Sequence, residues 1–172
     1  MTRLPDPDPD TLPADVRRFL AVVPPSGMVR MASHAVATVQ PFLQLGLLQF
    51  EVLALPDRYR ELATLTVAAC TECEFTAGQH VPMSAQAGIT DELRAAIARK
   101  DFDNPGLDAR DQVIIQFAAE LVARPRVGDE LFGRARAFLT DRELVELIQV
   151  CAFYLAFNRI ATTLDVPAED DA

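Results

Sequence analysis

The chain has no tryptophan, and only two histidines and three cysteines, among 172 residues. Its longest apolar run covers residues 150–157, far short of the ~18 residues that a membrane-crossing helix needs. It also lacks a basic block: 16 Lys and Arg are scattered among 25 acidic residues, for a formal net charge of −9. Nucleic acids and anionic membranes both reward clustered positive charge, so neither is an expected partner. The opening MTRLPDPDPD contains no apolar stretch of the secretory kind, and a cytoplasmic location is expected. No segment alternates with period two in a convincing way. VIIQF, at residues 113–117, is the one candidate strand, and its flanks are helical. Three cysteines do not make a disulfide framework; in a reducing compartment a C-x-x-C pair reads as redox or metal chemistry.

What is present is helical patterning. The expected fold is all-α, with about seven or eight helices in one domain over residues 11–172, preceded by a disordered, acidic and proline-rich segment at 1–10. A short helix follows Pro13 and stops at Pro24-Pro25-Ser26-Gly27. A second is expected from Met28 to about Gln40, broken or kinked by Pro41. Asp57 is the expected N-cap of the central helix, Thr71-Glu72 its breaking point, and Cys73 the start of a helix running to Ala87 and ended by Gly88. Thr90 and Asp129 are further candidate caps, and Thr140 with Glu143 has the spacing of a capping box. The tail 169–171 reads as solvated. The apolar segments 150–157 and 42–50 exceed what one small domain needs for its core, so a homo-oligomer is expected.

Chemistry is concentrated in residues 60–88, RELATLTVAACTECEFTAGQHVPMSAQAG, which hold Glu61, Cys70, Cys73 and His80. Thiol, imidazole and carboxylate are the components of an acid–base-assisted sulfur centre. At about 100° per residue, the step from Cys73 to His80 returns to the same helix face. Cys70 and Cys73, three apart, are close enough to react with each other. Each group also has a structural reading: Cys70 as core filler, His80 as a satisfied core imidazole, Glu61 as a surface partner of Arg58 or Arg60. His34, alone on its helix, reads as structural, and Cys151 in the apolar run reads as core.

The stretch RELATLTVAACTECEFTAGQHVPMSAQAGIT resembles the core of the carboxymuconolactone decarboxylase superfamily, which includes the alkylhydroperoxidase D-like proteins. LTDRELVELIQVCAFYLAFNRIATTLDVP resembles that family's last helix, and together they extend the likeness over roughly residues 55–167. The resemblance implies an all-helical protein, forming trimers or trimer-based hexamers, with no cofactor and sites near subunit contacts. It places Glu61 on the family glutamate, Cys73 on the first motif cysteine and His80 on the motif histidine. The second motif cysteine falls at Thr76, where this chain has no thiol; its own C-x-x-C, with Cys70, lies one turn earlier. Where many decarboxylase relatives have adjacent histidines, this chain has Gln79-His80.

Four readings are open at this point. The first is a thiol-based peroxidase or disulfide oxidoreductase with Cys73 as nucleophile, Cys70 as resolving thiol, and His80 tuned by Glu61. Its partners would be a peroxide and a thiol electron donor. The second is a cofactor-free enzyme acting on a small acidic lactone, with His80 as acid–base group. A zinc site from Cys70, Cys73, His80 and Glu61 is the third, and a non-catalytic helical oligomer is the fourth. Glu61 is expected close to His80, directly or through one water. This requires the chain to turn at Thr71-Glu72.

Overall fold

The fold is organised around helix α4, Asp57–Thr71, buried without interruption from Arg60 to Ala68. The computed structural model describes residues 2–168, so the acidic tail lies outside the described residues. Ten α-helices and one short 3-10 turn (Pro9–Thr11) occur among them, with no strand. The ten are α1 Ala14–Leu20, α2 Gly27–Ala32, α3 Val39–Leu48, α4, α5 Glu74–Gln79, α6 Val81–Gln86, α7 Asp91–Ala98, α8 Ala109–Ala123, α9 Asp129–Arg136 and α10 Asp141–Thr163. Helices α8, α10 and α7 pack around α4. Leu62, Ile114, Ile115, Phe117 and Leu147 at their contacts are fully buried. VIIQF lies inside α8.

The count exceeds seven or eight because the apolar segment 42–50 is largely helical, in α3, and the helix expected over 73–87 is two. In the first case α2 ends at Ala32 and α3 begins at Val39. Pro41 does not break α3; it sits in the first turn, where a backbone N–H would have no helical partner anyway. In the second, the helix starting after Cys73 ends at His80, and α6 begins at Val81. Pro82 supplies no N–H to bond the Gly78 carbonyl, and its ring would collide with that carbonyl in a continuous helix.

Thr90 caps α7 through Leu93 N–H, and Thr140 with Glu143 forms the capping box of α10. Asp57 and Asp129 each sit one position inside the helix they were expected to cap, after Pro56 and Gly128. The N-terminal residues expected to be disordered are tied to the fold. Arg3 donates to Leu164 O and Thr163 O, and Pro5 O meets His34 Nε2 at 2.9 Å. By length and composition α10 would suffice to cross a membrane, but 50% of that stretch is buried inside the fold, as befits a core helix.

Two features fix the end of α4 against its neighbours. Glu72 adopts a left-handed conformation (φ 56°), and Cys73 N–H reaches back to Ala68 O at 2.9 Å, closing a Schellman-type turn. At the other end, Arg58 forks onto Asp111 of α8 and donates to Gly88 O, where φ is +77°. The chain therefore reverses at Thr71-Glu72. Helix α5 folds back beside α4.

Candidate active site

That reversal brings His80 to Glu61. His80 Nδ1 and Glu61 Oε2 lie 2.8 Å apart, and both side chains are almost wholly buried. A carboxylate only accepts, so Nδ1 carries the proton and Nε2 is the ring atom left for chemistry. The other carboxylate oxygen, Oε1, accepts from Arg60 Nε at 3.1 Å. Arg60 is itself held by Asp57 (2.5 Å), by Gln49 O (3.4 Å), and by the Phe50 ring 4.6 Å beneath its guanidinium carbon. Each buried charge thus has a partner, the condition under which burial is tolerated. Glu61, read from sequence as a surface pair or a site residue, is fully buried at the site.

His80 lines a cavity of about 320 Å³ between α3, α5 and α10. The rings of Phe50, Tyr154, Phe153 and Phe157, with Leu43, Leu47 and Met83, form its apolar walls, and Pro24 and Pro25 lie at its edge. Gly46 permits this closeness, because a Cβ there would meet the Phe153 ring at 2.7 Å. Tyr154 stands edge-on to His80, ring centroids 5.0 Å apart. Burial, reinforced by the nearby Glu61 charge, pushes the Tyr154 phenol well above its ordinary pKa.

The thiols are arranged differently from the sequence expectation. Cys73 is the N-cap of α5, yet its sulfur takes no N–H of the first turn. Instead Sγ donates to Thr76 Oγ1 at 3.5 Å. Thr76 Oγ1 donates to Asn158 Oδ1 (2.6 Å), Asn158 Nδ2 to Thr71 Oγ1 (2.9 Å), and Thr71 Oγ1 to Val67 O (2.7 Å). This buried polar chain ties α4, α5 and α10 together. Cys73 does not line the His80 cavity; it lines two grooves, one against α7 and one against the end of α10. Cys73 has the extended backbone of an N-cap, outside the helical spacing that leads to His80, and the two residues serve different openings. Thr76, which lines the cavity and bonds Sγ, is the residue common to both.

Cys70 is half-buried at the end of α4. Burial pushes its thiol pKa up, and Lys100 only partly offsets this. Cys151 is fully buried, its pKa pushed up to about 12 by desolvation. All three thiols are free. Among the described residues, no group of three or more His, Cys, Asp or Glu side chains is placed to hold a metal ion.

Sequence reasoning did not single out Tyr154, Phe50, Arg60 or Asn158 as site residues. Asn158 had a signal: it continues the buried stripe of α10 beyond Cys151 and Tyr154 as a polar residue, and such a residue needs a partner. Tyr154 had none, because it sits in an apolar run that reads as core.

The arrangement is that of the alkylhydroperoxidase D-like fold. A structure described as the alkylhydroperoxidase AhpD core, an uncharacterized peroxidase-related protein from Ralstonia eutropha JMP134, superposes with a TM-score of 0.81 at 20% identity, over 99% of this chain and 93% of that one. An uncharacterized peroxidase-related protein from Silicibacter sp. TM1040 gives 0.82 at 19% identity, with the same coverage. A protein of unknown function from Agrobacterium tumefaciens gives 0.67 at 19%, over 76% of this chain and 90% of that one. Residues 40–99, which carry Glu61, Cys73 and His80, match the carboxymuconolactone decarboxylase family. The match covers about a third of the chain, and over 99% of its length the chain shares the fold of the Ralstonia eutropha structure. No curated protein matches it.

Proposed function

We propose that the protein is a thiol-dependent peroxidase, in which Cys73 reduces a peroxide with acid–base help from His80. The observation that carries this reading is the buried Glu61–His80 pair, 2.8 Å apart, beside a cavity that is also lined by Thr76, the hydrogen-bond partner of Cys73 Sγ. Glu61 fixes the tautomer of His80, and Nε2 takes the Cys73 proton by way of Thr76 and a molecule in the cavity. Thr76 must swing its side chain aside to admit peroxide to Sγ, and helical threonine has two accessible χ1 states. The thiolate attacks one peroxide oxygen, the O–O bond breaks, and the proton on His80 goes to the departing oxygen. The result is Cys73 sulfenic acid and an alcohol. Cys70 then condenses with the sulfenic acid, releasing water, and an external thiol reductant returns both cysteines to thiols.

The cavity favours this reading over an acidic lactone. No Lys or Arg lines it among the described residues, and Arg60 is already taken up by Asp57, Glu61 and Gln49 O. A substrate carboxylate would lose its water there without gaining a cation.

Free thiols require a reducing compartment, so the cytoplasm is the proposed location. A homo-oligomer, a trimer or trimer-based hexamer, is proposed as well. Its support is the exposed apolar residues Leu45, Leu47, Leu48, Phe50 and Val52, of which Leu47 and Phe50 also line the cavity.

The test is peptide mapping of the native protein after one equivalent of an organic hydroperoxide. A Cys70–Cys73 disulfide is expected, with Cys151 untouched. Three intact thiols would sink the reading.

A further inference from the structure

The His80 cavity holds a polar group with no partner. Tyr154 is 5% exposed, yet its hydroxyl forms no hydrogen bond with any described residue. Among the described residues the buried side-chain polar atoms without a partner belong to Gln49 and Thr64, so the Tyr154 hydroxyl, on the cavity wall, is open to a molecule there. Its neighbour on the wall, His80 Nε2, is equally without a partner among the described residues. The other polar side chains of the wall are Ser26, which caps α2, Thr76, which bonds Cys73 and Asn158, and the exposed Gln79. The rest is Phe, Leu, Val, Met and Pro, so the tyrosine hydroxyl and the imidazole are the buried polar groups left to orient a ligand.

We propose that the Tyr154 hydroxyl is a catalytic residue of this cavity, donating a hydrogen bond to a substrate oxygen, and that the substrate is an uncharged molecule with an apolar body. The inference rests on reading the His80 cavity as the substrate site. The donor role follows from the surroundings. Burial and the Glu61 charge both disfavour phenolate, so the hydroxyl keeps its proton at neutral pH. The uncharged class follows from a lining without Lys, Arg, Asp or Glu among the described residues. The size follows from the volume: about 320 Å³ is more than twice the ~150 Å³ void that accepts benzene. One ring with short branches fits. In peroxide reduction, the phenol would face the oxygen that departs with negative charge, while sulfur takes the other.

The test uses three unreactive probes of one skeleton. These are 2-phenyl-2-propanol, cumene, which lacks the hydroxyl, and 2-phenylpropanoate, which carries a charge. Binding to the full chain is followed by NMR at the His80 ring, which need be resolved from only one other histidine. Tyr154→Phe removes an unbonded hydroxyl, so its melting temperature should match the wild type. The alcohol should bind the wild type about three- to tenfold more tightly than it binds Tyr154→Phe, the worth of one hydrogen bond. Cumene should bind both proteins equally, and the carboxylate should bind both more weakly than the alcohol. An equal loss for alcohol and cumene in the variant overturns the proposal. So does no loss at all, a carboxylate as tight as the alcohol, or no His80 response to any probe. None of these measurements involves turnover. Inert thiols would defeat the peroxidase reading and leave this result standing.

Discussion

Glu61 and His80, nineteen residues apart in sequence, meet at 2.8 Å in the protein interior. In one straight helix over the same residues they would lie roughly 28 Å apart. The left-handed Glu72 and the Schellman-type turn at the end of α4 make the difference.

The role of that pair is tested by Glu61→Gln. The amide keeps the shape but can present a donor to Nδ1, which disturbs the tautomer that leaves Nε2 free. Reaction of Cys73 with organic hydroperoxide should slow by about tenfold or more, with a changed pH profile. Stopped-flow oxidation across pH 5–9 measures both. An unchanged rate and profile would remove Glu61 from the mechanism.

Thr76→Cys tests the geometry of the polar chain. A thiol there would line the His80 cavity and lie beside Cys73 Sγ, where Oγ1 is now 3.5 Å away. The variant should react with peroxide faster than the wild type. It should form a disulfide between Cys73 and the introduced thiol without needing Cys70. Mass mapping after oxidation would show the pairing.

Cys151 and Cys70 should each show the effect of burial in their pH dependence. Cys151, its pKa pushed up to about 12, should resist iodoacetamide until the protein is denatured. Cys70, its thiol pushed up by burial, should react faster as pH rises above neutral. The raised Cys151 value also gives a sign for stability. Between the ordinary thiol value near 9 and about 12, the unfolded chain has lost this proton and the folded chain keeps it. Stability should therefore fall as pH rises through that window. Denaturant titrations at pH 8, 9.5 and 11 check the slope. Faster alkylation of Cys70 than of Cys73 would reverse the assigned roles.

Glu146 of α10 anchors the connection before α4. Its Oε2 accepts from Ala54 and Leu55 N–H at 2.7 and 2.8 Å, and its Oε1 from Arg142 Nε at 2.8 Å. Burial alone would raise its pKa, but Arg142 and the two N–H groups outweigh that and hold it below the ordinary carboxylate value. Its contribution is therefore complete above that ordinary value and lost as pH falls through the lowered one. Glu146→Ala should cost about 1–3 kcal/mol at neutral pH. Chemical denaturation measures that cost, which should shrink in acid.

The exposed apolar residues at 45–52 give a prediction about assembly. Leu48→Glu places a charge among Leu45, Leu47, Phe50 and Val52. Sedimentation should show the wild type as a trimer or hexamer at micromolar concentration and the variant as smaller species. A monomeric wild type would remove the proposed assembly. The case from residues 150–157 is weaker than their composition suggests, since Val150, Cys151, Phe153 and Tyr154 are covered within the chain itself.

The sequence by itself determined the helical class, the capping of α7 and α10, the break at Thr71-Glu72, and the concentration of candidate carboxylate, thiol and imidazole groups in residues 60–88. Those are local matters: side-chain periodicity, a cap oxygen within reach of an N–H, and residue types whose chemistry is legible without coordinates. The same local rules put Cys73 and His80 on one helix face, and there they fell short, because Cys73 is the N-cap of α5 with an extended backbone (φ −97°, ψ 91°). Only the tertiary structure decided that Thr76, the position without the second thiol, joins Cys73 to the His80 cavity and to Asn158, eighty-two residues on. It alone decided that Tyr154, a core residue by pattern, would leave its hydroxyl without a partner beside His80. A hydrogen bond between distant segments depends on where two helices are packed, and that is set by the sum of their buried faces rather than by either residue's neighbours in the chain.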